Sequence, residues 1–139
     1  MNAIKFYDLE KIKTKKGGNT KLDGNVVQIY CRGFDKNTSP NYCLFFPFNL
    51  PAIADGYKRI NFAKNDLTGE VFILFSKTDG FLLTHGNKTK THNVCSKGIV
   101  TLFMDLIGLE YQDINTIYNL SEDLGSNNET IVYKVFFKN

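Results

Sequence analysis

Asn93-Val94-Cys95-Ser96-Lys97-Gly98-Ile99-Val100-Thr101-Leu102-Phe103-Met104-Asp105-Leu106-Ile107-Gly108 decides the fold class of this 139-residue chain. Ser96 has a hydroxyl that can accept a first-turn N–H, and Gly108 tolerates the left-handed conformation that ends helices, so the spacing predicts a helix over 97–107. Within it Lys97, Thr101 and Asp105 recur every fourth residue and form one narrow polar stripe, while Ile99, Val100, Leu102, Phe103, Met104, Leu106 and Ile107 cover the rest. A helix this apolar is expected to be surrounded by protein on most sides. Asn93–Cys95 leads into it as a short extended stretch. After it Asn115–Leu120 and Thr130–Lys138 read as strands, the latter with Ile131, Tyr133, Val135 and Phe137 alternating as an apolar face, and the acidic turn Ser121–Glu129 joins them.

Upstream the same order recurs in outline. Val26–Arg32 and Tyr42–Phe48 read as strands from their β-branched and aromatic content, with Pro47 expected at a strand end or edge because it has no N–H to give. Asn49-Leu50-Pro51 reads as a helix start with Asn49 as N-cap, and Gly56 as its stop, giving a short helix over 49–55. Lys58–Lys64 and Glu70–Ser76 then read as antiparallel strands, and Thr78-Asp79-Gly80 as a tight hairpin turn into Phe81–Thr84. His85–His92 encloses a hydrophilic hairpin loop, Ile4–Leu9 reads as a first short strand, and Lys11–Lys21 as a basic, glycine-broken loop. Strands far outnumber helices. The expected class is α+β, a mostly antiparallel sheet or partly open barrel with one buried helix (97–107) and one short helix (49–55). Length and 42% hydrophobic content suit one compact domain over 1–139, readable as two degenerate strand–helix–strand halves of about 26–84 and 85–139.

The order of a short strand, a brief helix opened by a cap and closed by glycine, and then two strands is carried by Phe45-Phe46-Pro47-Phe48-Asn49-Leu50-Pro51-Ala52-Ile53 with Arg59-Ile60-Asn61-Phe62, and again by Asn93–Leu120. It resembles the AbrB-like swapped-hairpin barrels of bacterial regulators and antitoxins. That family places a Gly-Asp pair at the entry to the strand after its helix. Here Asp55-Gly56-Tyr57 reverses the pair, and Glu110-Tyr111-Gln112-Asp113 lacks the glycine. The resemblance implies DNA binding through basic residues of the sheet or loops, commonly as a dimer.

Charge is distributed unevenly. Residues 1–34 and 57–100 each carry a net +4, residues 35–56 a net −1 and residues 101–139 a net −4. A basic front and acidic tail suit attraction of an anionic partner on one side. The candidate nucleic-acid contacts are Lys11, Lys13, Lys15, Lys16 and Lys21 in the first loop and Lys88 and Lys90 in the second, all flexible side chains that neutralise phosphates without reading bases. Tyr30, Tyr42, Phe45, Phe72 and Phe81 would add stacking on single strands, although aromatics alternating along strands more often form core. The competing reading is an adaptor, inhibitor or structural protein whose partner is a host or viral protein, contacted through the basic loops or the acidic Glu122–Glu129 turn. A homodimer through the Tyr42–Phe48 edge is a further expectation.

Catalysis and cofactors find little footing. The sequence contains no G-x-x-x-x-G-K-[ST], G-x-G-x-x-G or H-E-x-x-H, so no enzyme activity, catalytic residue or cofactor is expected. His85, His92 and Cys95 are the one set of metal-ligand types within reach of each other. With Asp66 or Asp79 needed to complete a tetrahedron, no metal is assigned. Cys31, Cys43 and Cys95 lie in apolar runs without C-x-x-C spacing and are expected to be buried reduced thiols. The N-terminus lacks the apolar core of a signal peptide and no run approaches a membrane span, so a cytoplasmic protein without membrane contact is expected. The sequons at Asn37, Asn87, Asn119 and Asn128 then read as by-products of abundant Asn and Thr. Frequent Asn and Lys without Trp suit AT-rich coding, as in a phage or mobile element.

Overall fold

The computed structural model describes residues 22–34, 40–86, 91–122 and 129–137. In chain order these form β1 (Val26–Arg32), β2 (Asn41–Pro47), α1 (Pro51–Ala54), β3 (Arg59–Lys64), β4 (Val71–Ser76), β5 (Phe81–Leu82), β6 (Thr84–Gly86), β7 (Thr91–Cys95), α2 (Lys97–Ile107), β8 (Ile114–Leu120) and β9 (Thr130–Phe136). Every strand pairing is antiparallel, in the order β5-β3-β4-β9-β8-β1-β2-β7-β6. The two outermost strands, β5 and β6, are separated along the chain only by Leu83, whose N–H donates to the Lys58 carbonyl at 2.9 Å. A single stretch of chain therefore pairs with β3 at one end of the sheet and with β7 at the other. The sheet curls into a nearly closed barrel, which removes most of its exposed edge.

Alternation fills the barrel. Val27, Ile29 and Cys31 of β1 face inward beside Leu44 and Phe46 of β2, and Ile60 of β3, Val71, Ile73 and Phe75 of β4 and Ile131, Tyr133 and Val135 of β9 continue the lining. Phe75 meets Phe46 and Tyr133 edge-on, with ring centroids 5.3 and 5.5 Å apart, the geometry that aromatic quadrupoles favour. Leu50, Ala52 and Ile53 of the α1 turn are buried among them. The Ala52 N–H, an orphan donor of that first turn, donates to the Tyr133 hydroxyl at 3.2 Å. The fold class read from the sequence is the one observed.

The pairing scheme has a two-fold symmetry. β1, β2, α1, β3 and β4 follow one another as do β5–β6, β7, α2, β8 and β9. β1 lies between β2 and β8, and β5–β6 lies between β7 and β3. The β3–β4 and β8–β9 hairpins correspond, while β2 with β7 and β4 with β9 pair across the halves.

Several expectations need correction. The α1 N-cap position is Leu50, with no side-chain cap, because Asn49 lies one residue earlier and its side-chain amide donates to Asp23 at 2.7 Å instead. Thr78-Asp79-Gly80 is not a hairpin turn, since β4 and β5 lie on opposite sides of β3 and the segment crosses that strand. Gly80 is required there. Its φ is +109°, and a Cβ would fall 2.5 Å from the Ile60 carbonyl oxygen. Tyr42–Phe48 offers no edge for a dimer, because β2 is paired with β1 on one side and β7 on the other. Pro47 does close its strand. Cys43 and Cys95 are joined in a disulfide rather than left as thiols. They are 52 residues apart, and only the β2–β7 register sets them opposite each other with Cα atoms 4.1 Å apart. Cys31 stays free and buried, its thiol pushed up to about 11 by burial and then by nearby Asp113. The Ile4–Leu9 strand lies outside the described residues, and among those described no helix is long and apolar enough to cross a membrane.

Candidate interaction groove

The helix predicted over 97–107 has those bounds, with Ser96 Oγ accepting from the Ile99 N–H at 3.3 Å and Gly108 in the left-handed conformation. Its apolar surface divides in two. Val100, Phe103, Met104 and Ile107 form one stripe at helical spacing and are buried, Phe103 against Phe62 of β3 with ring centroids 5.4 Å apart. Ile99, Leu102 and Leu106 form a second stripe that is only partly covered: Ile99 and Leu106 pack in part against the core, and Leu102 is 48% exposed. The helix is packed in the core as expected, and Leu102 alone of its large apolar residues stands exposed.

Opposite the second stripe stands the C-terminal half of β3. Ile60, Phe62 and Lys64 project from one face of the strand, with Phe81 of β5 beside Ile60. Together with Ile99, Leu102 and Leu106 they line a groove of about 420 Å³. Phe81 is 46% exposed, so two large apolar side chains of the groove, Leu102 and Phe81, remain open to water. Covering the exposed half of such a side chain stabilises by about 1 kcal/mol, a bias toward an occupant. The walls are held firmly. The Arg59 guanidinium donates to the Gly80 carbonyl at 3.0 Å and pins the crossover to β3, while the Ser96 cap and the left-handed Gly108 fix both ends of α2.

The charge at the groove is basic. Lys64 lies on its lining, and no carboxylate among the described residues lines it. Asp105 points elsewhere, its carboxylate accepting from the Tyr111 hydroxyl at 2.9 and 3.0 Å, which raises the Tyr111 pKa.

Lys11, Lys13, Lys15, Lys16, Lys21, Lys88 and Lys90, the lysines named as nucleic-acid contacts, all lie outside the described residues. Among the aromatics named for stacking, Tyr30, Phe45 and Phe72 are half-buried on the outer face of the barrel. Tyr42 turns inward and packs edge-on against Phe34 at 4.8 Å, and only Phe81 reaches the groove. His85 and His92 do come together as cross-strand neighbours of β6 and β7, ring centroids 4.8 Å apart, but Cys95 is committed to the disulfide. Among the described residues no group of three or more metal-ligating side chains gathers. His92 is buried, its Nδ1 without a hydrogen-bond partner among the described residues, and burial first, then His85 and Lys58, lowers its pKa.

The groove residues were not named from the sequence, although one signal was present. Ile99, Leu102 and Leu106 recur at i, i+3 and i+7, as Val100, Phe103 and Ile107 do, and a helix with two apolar stripes has two surfaces to cover. Compared with protein-family models, with curated proteins and with solved structures, the chain gives no match.

Proposed function

We propose that this chain is a non-enzymatic binding protein whose α2–β3 groove receives part of a partner protein. The observation that carries the reading is the pair of apolar walls, Leu102 with the partly buried Ile99 and Leu106 on one side and Phe81 with the partly buried Phe62 on the other, with Leu102 and Phe81 about half exposed at a cleft of about 420 Å³. Monomeric surfaces rarely keep such residues together unless they serve an interface. The volume also falls within the range of small-molecule pockets, but the cleft is open, with Leu102 and Phe81 each about half exposed at it.

The test is selection of a displayed peptide library on the wild-type protein, with the Leu102→Asp variant as counter-selection. The expected result is a set of peptides that bind the wild type and not the variant. Failure to enrich any peptide, or enrichment indifferent to Leu102→Asp, would overturn the reading. Titration of labelled DNA and RNA at low and high salt belongs alongside. Binding that weakens steeply with salt and is lost when Lys13, Lys15, Lys16, Lys88 and Lys90 become Ala would move the function to nucleic acid. The Cys43–Cys95 bond suits an oxidising compartment rather than the cytoplasm.

A further inference from the structure

We infer that the partner enters as an extended strand added to the edge of β3 that is free among the described residues, with apolar side chains at alternate positions and an acidic residue to meet Lys64. The inference rests on the groove being a protein-binding site and adds the form and chemistry of the occupant.

The orientation of the β3 backbone supports it. Residues along a strand direct both N–H and C=O alternately to one side and the other. The Lys58 carbonyl accepts from the Leu83 N–H, so Lys58 faces β5, and Ile60 two residues on faces the same way opposite Phe81. Phe62 and Lys64 must then direct their N–H and C=O groups to that same side. There β5 pairs only with Arg59 and Ile60, while β4 follows β3 on the other side from Arg59 to Lys64. This short stretch of edge opens directly beside the groove. An incoming strand would continue the sheet where β5 leaves it, and every second side chain would point between β3 and α2.

Charge selects among occupants. β3 begins and ends in basic residues, Arg59 and Lys64, with Lys58 just before it and no acid among its six residues. A second copy adding its own β3 would place two basic strands side by side, which is unfavourable. An acidic, apolar-alternating segment is complementary.

The test uses a synthetic peptide, acetyl-Val-Ser-Leu-Ser-Val-Ser-Asp-amide, whose Asp shares a face with the apolar residues, with a version carrying Lys for Asp and a version N-methylated at alternate amides. Hydrogen exchange and amide chemical shifts report on Phe62 and Lys64. In the free protein these two amides should exchange fast, and slow exchange there would show the edge already occupied and overturn the inference. On adding the peptide they should become protected. N-methylation should weaken binding about tenfold or more, as expected for loss of backbone hydrogen bonds at a strand edge. Lys64→Glu should reverse the preference between the Asp and Lys peptides. If the N-methylated peptide binds as well as its parent while Leu102→Asp still abolishes binding, strand addition fails and the groove reading survives. If the peptide shifts neither the edge amides nor the groove residues at millimolar concentration, the inference fails. A concentration-dependent dimer abolished by Leu102→Asp would make the occupant a second copy and overturn the choice of an acidic partner.

Discussion

β1 and the β5–β6 stretch hold equivalent places in the two halves, and they perform differently. β1 is an unbroken run of seven residues that pairs with β8 from Val26 to Cys31 while holding β2 on its other side. β5–β6 is divided at Leu83. Its first part meets β3 only at Arg59 and Ile60, and its second meets β7 at Thr84–Gly86. The first half is thereby closed by strand pairing and needs only the four-residue α1 to fill its end. In the second half the shorter pairing leaves a seam, and the eleven-residue α2 stands in it with one stripe turned inward and one left over. The same scheme of pairing gives a closed wall in one half and an open groove in the other, and the difference comes down to a few hydrogen bonds of strand length.

If α2 replaces missing strand pairing, its inward stripe should matter far more than its outward one. Phe103→Ala removes a fully buried ring packed on Phe62 and is expected to cost about 3–5 kcal/mol. Leu102→Ala, one residue earlier, should change stability by no more than about 0.5 kcal/mol, since its side chain is half exposed. Denaturant unfolding of the two variants measures both. Equal costs would mean that the groove wall is core and not surface.

The two halves are also joined covalently. Cys43–Cys95 links β2 to β7, the strands through which the halves pair, and closes a span of 52 residues. Reduction, or replacement of both residues by Ala, should destabilise by about 2–4 kcal/mol, chiefly by freeing the unfolded chain. The thermal midpoint with and without reductant checks this, with the double Ala variant expected to be insensitive to reductant. A midpoint that reductant leaves unchanged in the wild type would show the halves held by strand pairing alone.

How much of this was legible in the sequence follows from which interactions are local. The α2 bounds and caps could be read because Ser96 and Gly108 act on their own turn, and β1 and β9 could be read because alternation repeats within seven residues. The crossover at Thr78–Gly80 could not. Asp-Gly permits a hairpin as readily as a crossing, and only the pairing of Phe81 with Ile60, on the side of β3 away from β4, decides between them. The disulfide was hidden for the same reason, since Cys43 and Cys95 are neighbours only through the register of distant strands. The groove was half legible. Its helical wall is a stripe at Ile99, Leu102 and Leu106, whereas its strand wall depends on β5 beginning only at Phe81, opposite Ile60.

The interior differs across the β2–β7 pairing as well. Phe46 of β2 has His92 of β7 as its cross-strand neighbour, so an imidazole occupies a site among apolar groups. Its proton affinity is lowered in the folded protein by burial and by His85 and Lys58, whereas in the unfolded chain it titrates near its ordinary value of about 6.5. Below that value the unfolded state binds the additional proton first, so stability should fall as pH drops through the histidine range and recover above it. Unfolding midpoints from pH 7.5 to 5 would show this slope, and His92→Phe should flatten it. A slope unchanged by His92→Phe would place the acid sensitivity elsewhere.

The smallest contrast lies at the helix starts. α2 is capped from its own sequence by Ser96, whose hydroxyl accepts the Ile99 N–H, whereas α1 begins at Leu50 without a side-chain cap and takes its partner from Tyr133, 81 residues away. Ser96→Ala should therefore cost about 1 kcal/mol, the usual loss of an N-cap. Asn49→Ala, which removes only an exposed hydrogen bond to Asp23, should cost no more than about 0.5 kcal/mol. The Ser96 loss should also appear in the groove, because the first turn it fixes carries Ile99, and faster amide exchange at Ile99 in the Ser96→Ala variant would connect the cap to the open wall. If Asn49→Ala proves the costlier of the two, α1 is held through its sequence-local start after all, and the half closed by strands depends on its helix more than the half closed by α2.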